Sequence, residues 1–134
     1  MKWKWDKFKP EEVLSPYGII KWRGKGELLI QPSLLDFLSK FRQVVDKPML
    51  INHGDLKYRG YRDWHENKKV DGTQHSYHMQ GLAVDVTVRD MKPEDLYAAA
   101  IDFGWKGVGL YDTFVHMDLR NTADVVVWDS RVRN

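Results

Sequence analysis

Among the side chains of the types that hold a catalytic metal, three stand out in this sequence: His78, Asp85 and His116. His78 and Asp85 stand seven positions apart in His75-Ser76-Tyr77-His78-Met79-Gln80-Gly81-Leu82-Ala83-Val84-Asp85. His116 belongs to a second island, Phe114-Val115-His116-Met117-Asp118. A catalytic zinc takes three protein ligands, typically imidazoles with a carboxylate, and leaves its fourth position for water. Asp118, two positions beyond His116, shares its strand face and suits the second ring N–H of a ligating imidazole. Ser76 could support His78 in the same way. The same residues also suit a solvated loop histidine and a surface strand carboxylate, and spacing alone does not choose. The sharper signal of a His-Glu-x-x-His pair on a helix is absent.

The flanking elements must bring these groups together. Residues 82–88 alternate: Leu82, Val84, Val86 and Val88 face one way, and Ala83, Asp85 and Thr87 the other. Asp85 is thus expected on a rigid strand, opposite the apolar set. Residues 107–111 and 114–119 read as two strands around an Asp112-Thr113 turn, with His116 on the second. Residues 125–128 read as a last strand. Residues 33–46 carry a helical stripe of Leu34, Leu38, Phe41 and Val45, with Pro32 in the first turn and capping-box spacing from Ser33 to Asp36. Residues 93–103 form a second helix, with Pro93 at its start and Gly104 as C-cap. Residues 49–52 are a short buried strand. Residues 53–75 are a long polar loop, of a kind that is often functional, with a short helix expected at 64–69. Residues 1–26 read as irregular, punctuated by Pro10, Pro16, Gly18, Gly24 and Gly26. This order predicts an α+β fold, a small, largely antiparallel sheet with two main helices. It also predicts one domain over residues 1–134, with an N-terminal arm at 1–9 and a C-terminal tail at 121–134.

Composition narrows the chemistry. The chain has no cysteine, which removes disulfides, thiolate metal sites and cysteine nucleophiles. At 43% hydrophobic and 30% charged it suits a globular domain with a core. The net charge of +2 does not demand nucleic acid and is compatible with a polyanionic wall. Trp3, Trp5 and Phe8 alternate with lysines, so the arm could stack on bases. Packing across the core is the preferred reading, because the charge stops at Lys9. No apolar run approaches the ~20 residues of a membrane span. The first seven residues lack the apolar core of a secretory signal, which predicts synthesis and retention in the cytoplasm.

The motif Ser76-x-His78-x-x-Gly81-x-Ala83-x-Asp85 resembles the first zinc motif of the M15 peptidases. These are zinc D-Ala-D-Ala carboxypeptidases and related phage endolysins, which share a fold with the Hedgehog signalling domain. Gly107-Val108-Gly109-Leu110-Tyr111, followed by Phe114-Val115-His116-Met117-Asp118, is similar to the family's closing motif. Gly60-Tyr61-Arg62 with Asn67-Lys68-Lys69-Val70 resembles the segment upstream of the first histidine, and Ile30-Gln31-Pro32 is similar too. The resemblance covers roughly residues 10–120. It implies one Zn2+ per chain on His78, Asp85 and His116, hydrolysis of an amide in a peptidoglycan stem peptide, and Arg62 as the active-site arginine, for a substrate carboxylate or the developing oxyanion. The expected chain is a monomer that acts on the wall after release, as a phage lysin does. One departure stands out. Several members carry a Glu three residues before the last ligand or a His two before it, and here those positions are Thr113 and Phe114. Asp118 is then the first choice for a supporting carboxylate, with Asp112 near in sequence. Tyr61, Trp64, Tyr77 and Tyr111 are candidates to wall the groove, and His75 to approach substrate. His53 and His65 read as loop residues. The alternative, favoured by the missing Glu and His, is a non-catalytic, zinc-stabilised wall-binding module.

Overall fold

The computed structural model describes residues 2–132. Met1, Arg133 and Asn134, the last two part of the expected tail, lie outside the described residues. Among those described, five helices and five strands follow in the order α1 Pro10–Val13, α2 Pro16–Lys25, α3 Pro32–Val45, β1 Met49–Leu50, α4 Trp64–Lys69, β2 Ala83–Val88, α5 Pro93–Phe103, β3 Gly107–Leu110, β4 Val115–Asp118 and β5 Val126–Asp129. The strands form one sheet, ordered β1-β2-β4-β3-β5. The first three pairings are antiparallel, and β5 runs parallel to β3. The α+β class holds, and the largely antiparallel sheet gains one parallel edge.

Strand alternation gives the sheet two different faces. Val84, Val86, Val108, Leu110, Val115 and Met117 are buried on one face. They join Leu34, Leu35, Leu38 and Phe41 of α3 and Leu96 and Ala100 of α5 in a single core. Both helices begin on a proline and end on a left-handed residue, Asp46 at φ 54° and Gly104 at φ 113°. The other face carries a cross-strand row of Asp85, His116, Gly109 and Trp128, and beside it Ala83, Asp118, Gly107 and Val126. The core therefore fixes the opposite parity of every strand, and that parity holds the polar groups.

Three expectations are corrected. Residues 10–13 and 16–25 are helical, since Pro10 and Pro16 sit at first helical positions, Ser15 caps α2 by accepting from the Gly18 N–H at 3.3 Å, and Gly26 closes it at φ 69°. Prolines that read as punctuation are helix starts here. The Ser33–Asp36 capping box does not form. Gln31 is the N-cap, and Asp36 accepts from the Trp5 indole at 2.8 Å. The strand expected over 49–52 stops at Leu50. Asn52 instead bonds the Glu11 and Leu14 carbonyls and the Arg59 N–H, which ties the long loop to α1. The last strand expected over 125–128 forms as β5, one residue further on, inside the stretch set apart as a tail.

The arm packs as preferred. Trp3 donates to the carbonyls of Trp5 and Phe8, its ring meets those of Trp5 and Trp22 edge-on, and Phe8 is buried. Within the long loop, α4 is closed by a capping box in which Asp63 accepts from the Glu66 N–H and Glu66 from the Asp63 N–H. Among the described residues, no helix is long and apolar enough to cross a membrane.

Candidate metal centre

Asp85 and His116 are direct partners across β2 and β4. His78 reaches the same point from the turn that leads into β2. Gly81 in that turn has φ +70°, and a Cβ there would lie 2.3 Å from the Leu29 carbonyl oxygen. Only glycine meets both demands. One donor atom from each of His78, Asp85 and His116 lies within 4.8 Å of the others. The Asp85 carboxylate oxygen is 3.2 Å from His78 Nε2 and 3.1 Å from His116 Nδ1. The side chains are only 3%, 13% and 12% exposed, respectively, for His78, Asp85 and His116.

Outer contacts assign the nitrogens. His78 Nδ1 lies 2.9 Å from the Gly60 carbonyl oxygen, which can only accept, so this nitrogen carries the proton and Nε2 carries the lone pair. Gly60 itself is packed so closely that a Cβ would lie 2.1 Å from the Val13 carbonyl oxygen. His116 Nε2 lies 2.7 Å from Asp118, so its proton points there and Nδ1 is free for a metal. Two lone pairs and a carboxylate thus face one point. Such a cluster at hydrogen-bond distance favours a cation, a metal ion or a proton, between its members. Asp118 and the Gly60 carbonyl are the outer groups that fix ligating histidines.

Charge in the site agrees with this need. Burial works against a proton on His116, but its hydrogen bonds to Asp118 and Asp85 outweigh burial and push its pKa up to about 9. Without metal, a proton takes the cation's place. Burial dominates at His78 and lowers its pKa despite Asp85. Burial also opposes ionisation of Asp85, but His78 and His116 hold it well below the ordinary carboxylate range.

Asp118 is fully buried. Besides His116 it takes Arg120 Nε at 2.9 Å, Arg120 Nη2 at 2.7 Å and the Arg120 backbone N–H at 3.1 Å. These contacts overcome burial and bring its pKa down to about 2. Asp118 is thus an orienting group whose oxygens are all engaged. Gly107 makes this arrangement possible, since a Cβ there would lie 2.3 Å from both Asp118 oxygens. Gly109 does the same for Trp128, whose indole would be 2.3 Å from an added Cβ. The Trp128 ring lies 5.2 Å from that of His116, and its N–H donates to the Tyr111 hydroxyl at 3.0 Å.

The centre opens into a cavity of about 850 Å3. Arg62 lines it and is 8% exposed, with Nε donating to Asn67 at 2.9 Å and Nη1 to the Tyr58 carbonyl at 2.9 Å. Burial lowers its pKa, and the Asp85 charge partly offsets that. Gly72 leaves room for the pair, because a Cβ would fall 1.9 Å from the Asn67 side-chain oxygen.

The structure also places the other sequence candidates. Tyr77, Tyr111 and His75 line the cavity, and buried Ser76 accepts the His78 backbone N–H at 3.2 Å. Tyr61 does not line it. Its ring is buried against Gly18, because strand-like pairing with Leu14 turns it inward. Trp64 is 51% exposed under Lys68, also off the cavity. Asp112 is turned away from the centre and accepts the Val132 N–H at 3.3 Å. Thr113 offers its carbonyl to Thr87, and Phe114 is a cavity wall. His53 and His65 stay in the loop and first turn of α4, outside the lining. Sequence reasoning missed Arg59, Arg120 and Trp128. The signal for Arg120 was its i, i+2 position beyond Asp118. That for Trp128 was the Gly-x-Gly parity of β3, which left the face empty.

A family model described as Peptidase M15 matches residues 7–118. No curated protein matches the chain.

Proposed function

The chain belongs to the peptidase M15 family, and from that premise we propose that it is a zinc metallopeptidase cleaving an amide bond in the stem peptide of bacterial peptidoglycan. The observation that carries the reading is the convergence of His78 Nε2, His116 Nδ1 and Asp85, with both imidazole tautomers fixed from outside. Two histidines and a carboxylate are a ligand set of catalytic zinc peptidases. Zinc bound there supplies polarisation of the scissile carbonyl and activation of water.

The chain's own residues do the rest. Arg62 is held by Asn67 and Tyr58, which leaves Nη2 for a substrate oxygen that gains charge. Its partners fix the guanidinium before substrate arrives, so no reorganisation is needed in the transition state. Asp118 and the Gly60 carbonyl hold the outer ring nitrogens, so that His116 Nδ1 and His78 Nε2 are the ones turned to the metal position. The cavity falls in the ~300–1,000 Å3 range of ligand sites, and Tyr77, Tyr111, Phe114 and Trp128 give it aromatic walls.

A second reading, a zinc-stabilised module that binds wall material without cutting it, is favoured by one observation. Thr113 and Phe114 stand where several relatives of the family have a proton acceptor, and Asp118 is wholly engaged. The deciding experiment incubates protein of measured zinc content with purified peptidoglycan and synthetic stem peptides, with and without chelator. Mass spectrometry of the products is expected to show new termini that chelator abolishes, and their position identifies the bond. Protein with stoichiometric zinc that sediments with the wall but releases no fragment would establish the module instead.

A further inference from the structure

Arg59 has no assigned role, yet it lines the cavity with Asp85, His116 and Arg62. Its backbone is pinned on both sides. The N–H donates to the Asn52 side chain at 2.9 Å, and the carbonyl accepts the Asp85 N–H at 2.7 Å. The residue is therefore fixed beside a metal ligand. Its guanidinium lies 4.3 Å from the centre of the Phe114 ring, and Phe114 stacks flat on Tyr111 at 4.5 Å and 8°. One face of the guanidinium is thus taken by an aromatic ring. Among the described residues, no side chain or carbonyl accepts a hydrogen bond from it.

The other two cavity arginines are engaged. Arg120 is matched by two bonds to Asp118, and Arg62 uses Nε and Nη1 on Asn67 and Tyr58. Asp85 attracts Arg59 only at longer range, and a metal would claim that charge. Burial already lowers the Arg59 pKa, so the site bears the cost of a half-buried cation without a partner. A guanidinium in a fixed fork matches a carboxylate through two parallel bonds.

We propose that Arg59 is a specificity-determining residue, receiving a free carboxylate of the peptide substrate on the Phe114–Tyr111 platform and leaving Arg62 Nη2 to the reacting oxygen. The assignment rests on the peptidase reading for its substrate, but not for its test. Stem-type peptides are compared as three probes: free acid, C-terminal amide, and a form whose side-chain carboxylate is a carboxamide. Wild-type, Arg59→Gln and Arg59→Lys proteins of equal zinc content are assayed for kcat/KM. Equilibrium binding of the same peptides is measured by calorimetry.

Wild type is expected to prefer one carboxylate over its amide by about tenfold or more, mainly through KM. Arg59→Gln is expected to erase that preference and Arg59→Lys to restore part of it. Whichever amide is disfavoured identifies the carboxylate as terminal or side-chain. A preference that survives in Arg59→Gln, or equal losses on all three peptides, would overturn the assignment. If wild type cleaves none of them, the peptidase reading fails and calorimetry still decides on Arg59. Tighter binding of the acid, lost in Arg59→Gln, upholds its role, and equal binding of acid and amides refutes it.

Discussion

Asparagine at position 118 isolates what the buried carboxylate does for the metal. Asp118 accepts from His116 Nε2 and Arg120 Nη2 on one oxygen, and from Arg120 Nε and the Arg120 backbone N–H on the other. An asparagine has one accepting oxygen and one donating NH2. If the oxygen faces His116, the NH2 opposes two N–H donors of Arg120. If it faces Arg120, His116 Nε2 loses its acceptor, and the proton can move to Nδ1, the nitrogen the metal needs. Either arrangement places a donor against a donor in a site with no exposure. Substitutions of such outer partners cost ~10–100-fold in metal affinity, or about 1.4–2.7 kcal/mol. Zinc competition against a fluorescent chelator is therefore expected to show the Kd of Asp118→Asn raised by that factor. Arg120→Met keeps the His116–Asp118 bond and should lose clearly less. Two results would refute the reasoning: a folded Asp118→Asn within about twofold of wild type, or an Arg120→Met loss as large as that of Asp118→Asn. The first would mean the tautomer is fixed elsewhere, and the second that the field of the ion pair matters more than the bond.

Three further outcomes follow from the geometry. Arg62→Lys loses the planar anchoring to Asn67 and Tyr58, so kcat on a cleaved peptide should fall by roughly 10²–10³ with zinc content unchanged, and an unaltered kcat would remove Arg62 from the reaction. Gly109→Val drives a Cβ into the Trp128 indole, and denaturant unfolding should show a loss of about 1–3 kcal/mol, whereas wild-type stability would contradict the close contact. Burial, with the charges of Asp63, Tyr17 and Glu66, pushes the Tyr61 pKa up to about 12. The folded protein then keeps a proton that the unfolded chain releases near pH ~10, so the stability difference between wild type and Tyr61→Phe should fall as pH rises from about 10 to about 12 and stay level below. A difference that is flat across that window would place the Tyr61 hydroxyl in water.

Helices α3 and α5 were legible because each buries a continuous stripe, and periodicity reports exactly that kind of burial. Helix α2 was not. It leaves Tyr17 and Ile20 exposed and buries little beyond Gly18, so its pattern is weak, and its prolines and glycines read equally well as turn signals. The metal ligands were legible as residue types, and the strand parity that puts Asp85 opposite the valines could be read locally. Their convergence could not, because it depends on the β2–β4 register. Tyr61 was misplaced for a related reason: a residue beside Arg62 in sequence points the other way once the segment runs alongside Leu14. Trp128 and Arg59 lie at the site through pairings with β3 and with Asp85; the alternate glycines of β3 hint at the first contact, and no local pattern announces the second.

Asp85 and His116 occupy one rung of the β2–β4 ladder, so strand spacing sets the gap between these two donors before any metal arrives. Only His78, on its turn, stands off the ladder. Metal uptake therefore orders little chain, unlike a zinc finger, where metal affinity and folding free energy are the same quantity. The stabilisation it confers should follow simple mass action, rising by about 1.4 kcal/mol for each tenfold of free zinc above the Kd. Its binding heat capacity should be small, because little apolar surface is covered in the process. A bound ion should then exchange without global unfolding, and metal-free protein is expected to refill from a metal buffer as an already folded scaffold.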